Sequence, residues 1–181
     1  CASTLGTTQI LLNSTSETFK NGFANNNDVV GRYLMDHLCF AGASGELHEQ
    51  LDRYYLGRKP NSIYVPRFTN LNEDTEDFVR GYAYQGNGRR EEWRGQMDRK
   101  GFGSDFKEEF KTPGPWIIEL EGYGEMLPDA NNRATLHETK TDEWGMPQLH
   151  IDCEFGENDK KIRKAMLETA VEMMEEVGLK N

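Results

Sequence analysis

The chain reads as an α+β protein, an antiparallel sheet with helices packed on one face. Three stretches carry that reading. Residues 148–155 alternate strictly, with Leu149, Ile151, Cys153 and Phe155 on one side and His150, Asp152 and Glu154 on the other. A period of two marks a strand with one covered face and one wetter face. Residues 116–121 form a second strand-like run. Polar turns between the two runs predict that both lie in one antiparallel sheet. Residues 158–177 carry Ile162, Met166, Ala170, Met173 and Val177 on one helical stripe. That stripe predicts a helix across the sheet with Met166, Ala170 and Met173 buried. Asn158 suits its N-cap, Asp159 its positive first turn and Gly178 its stop.

The remaining elements follow in order. Gly6 and Thr7 can open a helix whose apolar face is Ile10, Leu11 and Leu12, and Asn13-Ser14-Thr15 would end it. Asn13-x-Thr15 is formally a glycosylation acceptor. Residues 38–44 form an apolar run that residues 42–45, rich in glycine, should break. Residues 46–57 are polar, a short helix or loop. Residues 62–68 and 78–84 read as strands, from Ile63 and Val65 in the first and Phe78, Arg80, Tyr82 and Tyr84 in the second. The acidic residues 70–77 between them read as a turn, and residues 85–90 as a Gly-rich, basic turn. Phe102, Phe106 and Phe110 recur every four residues, which fits a helix face within 91–111 that also holds Trp93 and Met97; Gly101 and Gly103 should split that region. After the turn cluster Pro128-Asp129-Ala130-Asn131-Asn132, Arg133-Ala134-Thr135-Leu136 enters a strand, and Trp144-Gly145-Met146-Pro147 forms a corner.

Composition bounds the function. The 181 residues are enough for a real core, with 36% hydrophobic and 29% charged residues. A net charge of −10 argues against nonspecific binding to nucleic acid or anionic membranes. Cys1, Cys39 and Cys153 form no CxxC pair, and Cys39 and Cys153 fall in strand-like runs where a small buried thiol is expected. There is no signal peptide and no long apolar run, so a soluble protein of the cytoplasm or periplasm is expected. A start at Cys1 without methionine reads as an excised piece. Gly86-Asn87-Gly88 is not a phosphate loop, and no Gly-x-Ser-x-Gly elbow occurs. His150 and Asp152 share a strand face, but no third ligand is spaced to join them, so no metal is expected.

Two motif groups carry a family resemblance. Glu125-x-Leu127-Pro128-x-x-x-Asn132-Arg133-x-Thr135-Leu136, followed by Asp142-x-x-Gly145-x-Pro147, resembles the C-terminal domain of the glucose–methanol–choline (GMC) flavin oxidoreductases. Val30-Gly31-Arg32-x-Leu34-x-Asp36-His37 resembles the crossover by which that family's chain passes from flavin domain to substrate domain. Gly6, Gln9, Leu11, Leu12 and Ser14 match a further family signature, in which Thr7 and Thr8 here replace a Ser-Pro pair. Phe78-x-Arg80-Gly81-Tyr82 is similar to one of its substrate-domain strands. The resemblance implies a piece of an FAD-dependent alcohol oxidoreductase: residues 1–37 end the FAD-binding domain and carry the crossover, and residues 38–181 are a substrate-binding domain truncated at its C-terminus.

It implies FAD in the parent protein, near Ala2, Ser3 and Gly6, and a sugar or polyol substrate beside a polar sheet face with His150, Asp152 and Glu154. Gly31, Arg32, Asp36 and His37 hold the crossover. No catalytic residue is expected here. The family's Gly-x-Gly-x-x-Gly turn does not occur in these residues, and none of His37, His48, His137 and His150 sits like the family's catalytic histidine. The piece alone is therefore expected to bind no flavin and oxidise no alcohol. Its partner is the missing FAD-binding domain; without it, Leu5, Ile10, Leu11 and Leu12 lack cover, and self-association into a homo-oligomer or a rearranged N-terminus is expected. The alternative reading is a noncatalytic binding or interaction module on an antiparallel sheet.

Overall fold

The computed structural model describes residues 2–53, 62–73, 75–90, 100–109, 111 and 113–179. The element order is α1 (Ser3–Asn13), β1 (His37–Leu47), β2 (Ser62–Val65), β3 (Tyr82–Arg90), α2 (Ser104–Glu109), β4 (Trp116–Glu125), β5 (Arg133–Thr141), β6 (Pro147–Asp152) and α3 (Glu157–Glu176). All strand pairs are antiparallel. The α+β expectation holds. The chain divides into two compact units, Cys1–Asp36 with Met126–Asp159, and His37–Glu125 with Lys160–Asn181.

The second unit is built on a four-stranded sheet in the order β1-β4-β3-β2. One face of it packs on α3. Tyr84 donates its hydroxyl to the Met166 carbonyl at 2.7 Å, and Ile162, Met166, Ala170 and Met174 are buried with Leu38, Ala41, Tyr82, Tyr84 and Leu120. β4 leaves room for the helix with two glycines. A Cβ on Gly122 would meet Met166 Sδ at 2.7 Å, and one on Gly124 would meet Ile162 Cγ2 at 2.8 Å. The stripe predicted for α3 is thus confirmed at Ile162, Met166 and Ala170, with Lys161 and Glu168 outward. Met173 is only half-buried and Val177 is exposed; both line an open apolar groove with Leu47, Ile63 and Ile118, and Met174 takes the buried place. The helix begins at Glu157, so Asn158 lies inside it rather than capping it. Asp159 does the capping, accepting from Gly156 N at 2.9 Å and Leu127 N at 3.1 Å.

Two expected turns are strand interior. Residues 42–45 do not break β1, and residues 85–90 belong to β3. Their glycines mark close approach of backbones: a Cβ on Gly42 would sit 2.0 Å from the Leu120 carbonyl, and one on Gly86 2.0 Å from that of Glu119. Arg90, taken as part of a basic turn, is buried and donates to the carbonyls of Leu51, Pro113 and Gly114. The strand expected over 78–84 starts only at Tyr82. Arg80 has a left-handed φ of 73°, and Asn70 Nδ2 binds the Phe78 and Arg80 carbonyls at 2.8 and 2.9 Å in place of a ladder partner. Phe102 is exposed and precedes α2, from which Gly103 at φ +98° separates it. Phe110 of the predicted stripe, and Trp93 and Met97 before it, lie outside the described residues.

The first unit holds α1 and the hairpin β5–β6. Residues 116–121 and 148–155 therefore belong to different sheets, not one. Alternation reports a strand and its faces but not its partner. The face expected to be covered is open: Leu149 is half-buried, Ile151 and Phe155 are exposed, and Cys153 lies exposed beyond the end of β6. No residue of α1 is buried, and Leu5 and Ile10 are 47% and 58% exposed.

Candidate functional site

The face of the four-stranded sheet opposite α3 is polar. Alternation puts Glu119, Glu121 and Tyr123 of β4 on it, with Gln85 and Asn87 of β3 and Ser44 of β1 as cross-strand neighbours. These residues line an open cleft of about 650 Å³, which Gly42 and Phe40 complete on the β1 side. The carboxylates are oriented, not loose. Arg89 Nη1 lies 2.6 Å from Glu119 Oε1, and Asn87 Nδ2 donates to Glu119 Oε2 at 3.1 Å. The Arg89 hydrogen bond holds the Glu119 carboxyl below the usual carboxylate range. Tyr123 donates its hydroxyl to Glu121 at 2.9 Å, and that bond pushes the phenol pKa up. The cleft thus presents ionised acceptors beside amides that both donate and accept, a set suited to hydroxyl groups.

In the first unit, Gly31 acts through its backbone and Arg32 through its side chain. Gly31, at φ +85°, accepts from Ala134 N at 2.7 Å, and a Cβ there would lie 2.2 Å from the Ala134 carbonyl. Only a glycine lets the chain run this close beside β5. Arg32 pairs with Asp28 and donates to the Ala130 carbonyl at 3.0 Å, tying its segment to the turn before β5. Leu34 N binds the Asn132 carbonyl at 2.9 Å. Asn132, itself buried, clamps Glu154 through both backbone groups, at 2.8 and 3.0 Å. Asp36 and His37 stand at the boundary of the two units, both exposed, with the His37 ring 6.4 Å edge-on from Tyr123.

The substrate-side residues expected from sequence fall on the hairpin. His150 faces Thr135 and Asp152 faces Arg133 across β5, and the His137 and His150 rings meet edge-on at 6.0 Å. Glu154 lies past the strand end, held by the Asn132 clamp, so the three do not share one strand face. Ala2 and Ser3 sit exposed at the start of α1, where no side chain caps the helix, and Gly6 is half-buried one turn on. Sequence reasoning missed the polar face of β4. The alternation Glu119, Glu121, Tyr123 against Leu120, Gly122, Gly124 was legible, but taking residues 85–90 as a turn hid its neighbours Gln85 and Asn87.

The architecture is that of an α+β protein with one sheet face given to a helix and the other to an open polar cleft. Its known relatives are dehydrogenases. The chain is 27% identical over 191 aligned residues to the Fructose dehydrogenase large subunit of Gluconobacter japonicus, covering 95% of this chain and 33% of that protein. It is 28% identical over 172 residues to the 2-methyl-1,2-propanediol dehydrogenase of Mycolicibacterium austroafricanum, covering 87% of this chain and 29% of that protein. The chain spans about a third of the length of these curated relatives. No family model matches it. The likeness to dehydrogenases over a third of their length is consistent with a segment of an oxidoreductase. Among the described residues, no helix is long and apolar enough to cross a membrane.

Proposed function

We propose that the chain is the substrate-domain segment of an FAD-dependent GMC oxidoreductase that acts on a sugar or polyol. The observation that carries this is collinearity: the likeness to two dehydrogenases runs over 95% and 87% of the chain. The family motifs of the crossover and the hairpin keep their order within it. The flavin, when bound, supplies the acceptor for the hydride leaving the alcohol carbon. This chain's own part is binding and orientation. Glu119 and Glu121 accept from substrate hydroxyls, Gln85 and Asn87 donate to and accept from them, and Arg89 orients the Glu119 carboxylate. On the first unit's own hairpin, His150 and Asp152 present polar groups suited to hydroxyls, and Glu154 lies past the strand end. At Ala2 and Ser3 the uncapped start of α1 offers backbone N–H donors that fit a polar group of FAD, and Gly6 stands one turn on. The pyrophosphate turn and the base belong to the rest of the polypeptide, so the partner of this segment is its FAD-binding domain.

The test compares two purified proteins: the 181-residue chain, and the full-length polypeptide that contains it. The full-length protein is expected to carry a yellow flavin and to reduce a dye with a sugar or polyol. The 181-residue chain should do neither. A stoichiometric flavin complex of the short chain, or a full-length protein without flavin or alcohol turnover, would overturn the reading.

A further inference from the structure

The register of β1 carries an anomaly inside the polar cleft. Leu38 pairs with Gly124 and Ala41 with Gly122, so Cys39 and Phe40 together oppose the single residue Tyr123. That is a β-bulge. Within it Phe40 has φ +63°, a left-handed conformation that is an outlier for a bulky side chain, and it is 85% exposed. The ring thus bears two costs, backbone strain and contact with water, with little packing against the described residues of its own unit to offset them. In a regular strand Phe40 would share the face of Leu38. There Ile162 and Met166 fill the space above Gly124 and Gly122, leaving no room for a phenyl ring. The extra residue turns it to the other side, where it lines the cleft with Gln85, Asn87, Glu119, Glu121 and Tyr123. Strain of this kind, kept beside a concave polar site, marks a residue aimed for function.

We propose that Phe40 is the specificity-determining platform of this cleft, selecting a ring-shaped polyhydroxylated alcohol over an open-chain one. The proposal rests on the oxidoreductase reading and adds to it the residue that sorts substrates. A cyclic sugar or polyol has an apolar face of C–H bonds and a polar edge of hydroxyls. The Phe40 ring covers the face, while Glu119, Glu121 and Asn87 meet the edge. An open-chain polyol presents no such face, so it gains nothing from the ring and depends on the polar residues alone. Because the bulge is part of β1, the platform is held by a strand rather than by a loop.

The experiment uses the full-length flavoprotein and measures KM and kcat for a cyclic substrate and its open-chain polyol counterpart. Phe40→Gly and Phe40→Ala are expected to raise KM for the cyclic substrate about tenfold, with kcat within about twofold, and to leave the open-chain KM unchanged. Phe40→Trp should restore the cyclic KM. Glycine accepts positive φ, so the thermal midpoint of Phe40→Gly should stay level or rise while selectivity is lost. Phe102→Ala, at an exposed phenylalanine away from the cleft, is the control and should change nothing. Equal KM changes for both substrates, unchanged KM for the cyclic one, or loss of kcat together with stability would overturn the role of Phe40 while leaving the oxidoreductase reading intact. A full-length protein that oxidises no alcohol overturns both.

Discussion

The two units are held together by different physics. In His37–Glu125 with Lys160–Asn181, burial dominates: ten of the twelve buried apolar residues among the described ones lie there, around Tyr84, Met166 and Ile162. Burial also pushes the Tyr84 hydroxyl pKa well up, so it remains a donor to the Met166 carbonyl. In Cys1–Asp36 with Met126–Asp159, only Met126 and Ala134 are buried apolar residues among the described ones, beside the buried polar Asn25, Asn132 and Asp159. Each of those three satisfies backbone groups. Asn25 accepts from Val30 N at 2.9 Å, Asn132 clamps Glu154, and Asp159 caps Gly156. Ten large apolar side chains of this unit are exposed, Leu5, Ile10, Ile151, Phe155 and Trp144 among them. A unit whose polar side chains set its shape while its apolar ones face out is specified locally but stabilised from elsewhere. That pattern supports the proposal of a missing partner domain.

The comparison breaks most directly on two truncations. Met166→Ala opens a cavity between α3 and the sheet and should cost about 3 kcal/mol in urea unfolding. Leu11→Ala, on α1 where nothing is buried, should cost about 1 kcal/mol or less. If Leu11→Ala proved the more damaging, α1 would have cover that the first unit does not show.

A smaller effect sharpens the contrast. Asn132→Ala removes the donor to the Glu154 carbonyl and the acceptor for its N–H. The loss should be about 2 kcal/mol, because both partners are left part-buried and unpaired. Hydrogen exchange should speed up at residues 133–136 and 152–156 and stay slow in 162–174. Uniform acceleration along the whole chain would mean that the two units unfold as one.

The same contrast explains what was legible in the sequence. α3 could be read because burial repeats with the helical period, and Ile162, Met166 and Ala170 keep that beat. Its C-terminal end slipped to Met174 because the groove beside Met173 and Val177 is open, and an amphipathic stripe does not say how much of itself is covered. Two strands of the four-stranded sheet were cut short at glycines. Gly42 and Gly86 are there for backbone approach across strands, a reason that depends on neighbours the sequence does not reveal. β6 was found by alternation and the start of β5 by the turn before it, yet their pairing in a sheet of their own was not, since pairing is a long-range property. Of the candidate residues, Gly31 and Arg32 could be singled out because they stand in a motif. The bulge at Phe40 was not, because a one-residue insertion in register leaves no trace in a single strand.

The smallest expected effect concerns the polar face of the sheet, where charge rather than burial acts. Arg89 and Glu119 are 49% and 37% exposed, so solvent screens the pair, and Arg89→Gln should cost only a few tenths of a kcal/mol at neutral pH. The folded-state pKa of Glu119 is lowered, chiefly by the Arg89 hydrogen bond. A lowered carboxyl contributes stability above its unfolded pKa and loses it as pH falls through the folded one. The difference in unfolding free energy between the parent and Arg89→Gln should therefore be present at neutral pH and shrink on acidification below the usual carboxylate range. It should also shrink at high salt, as expected for exposed charges. A difference that held constant from neutral to acid would show that Arg89 acts through packing of its stem, and the polar face would then resemble the opposite face in kind.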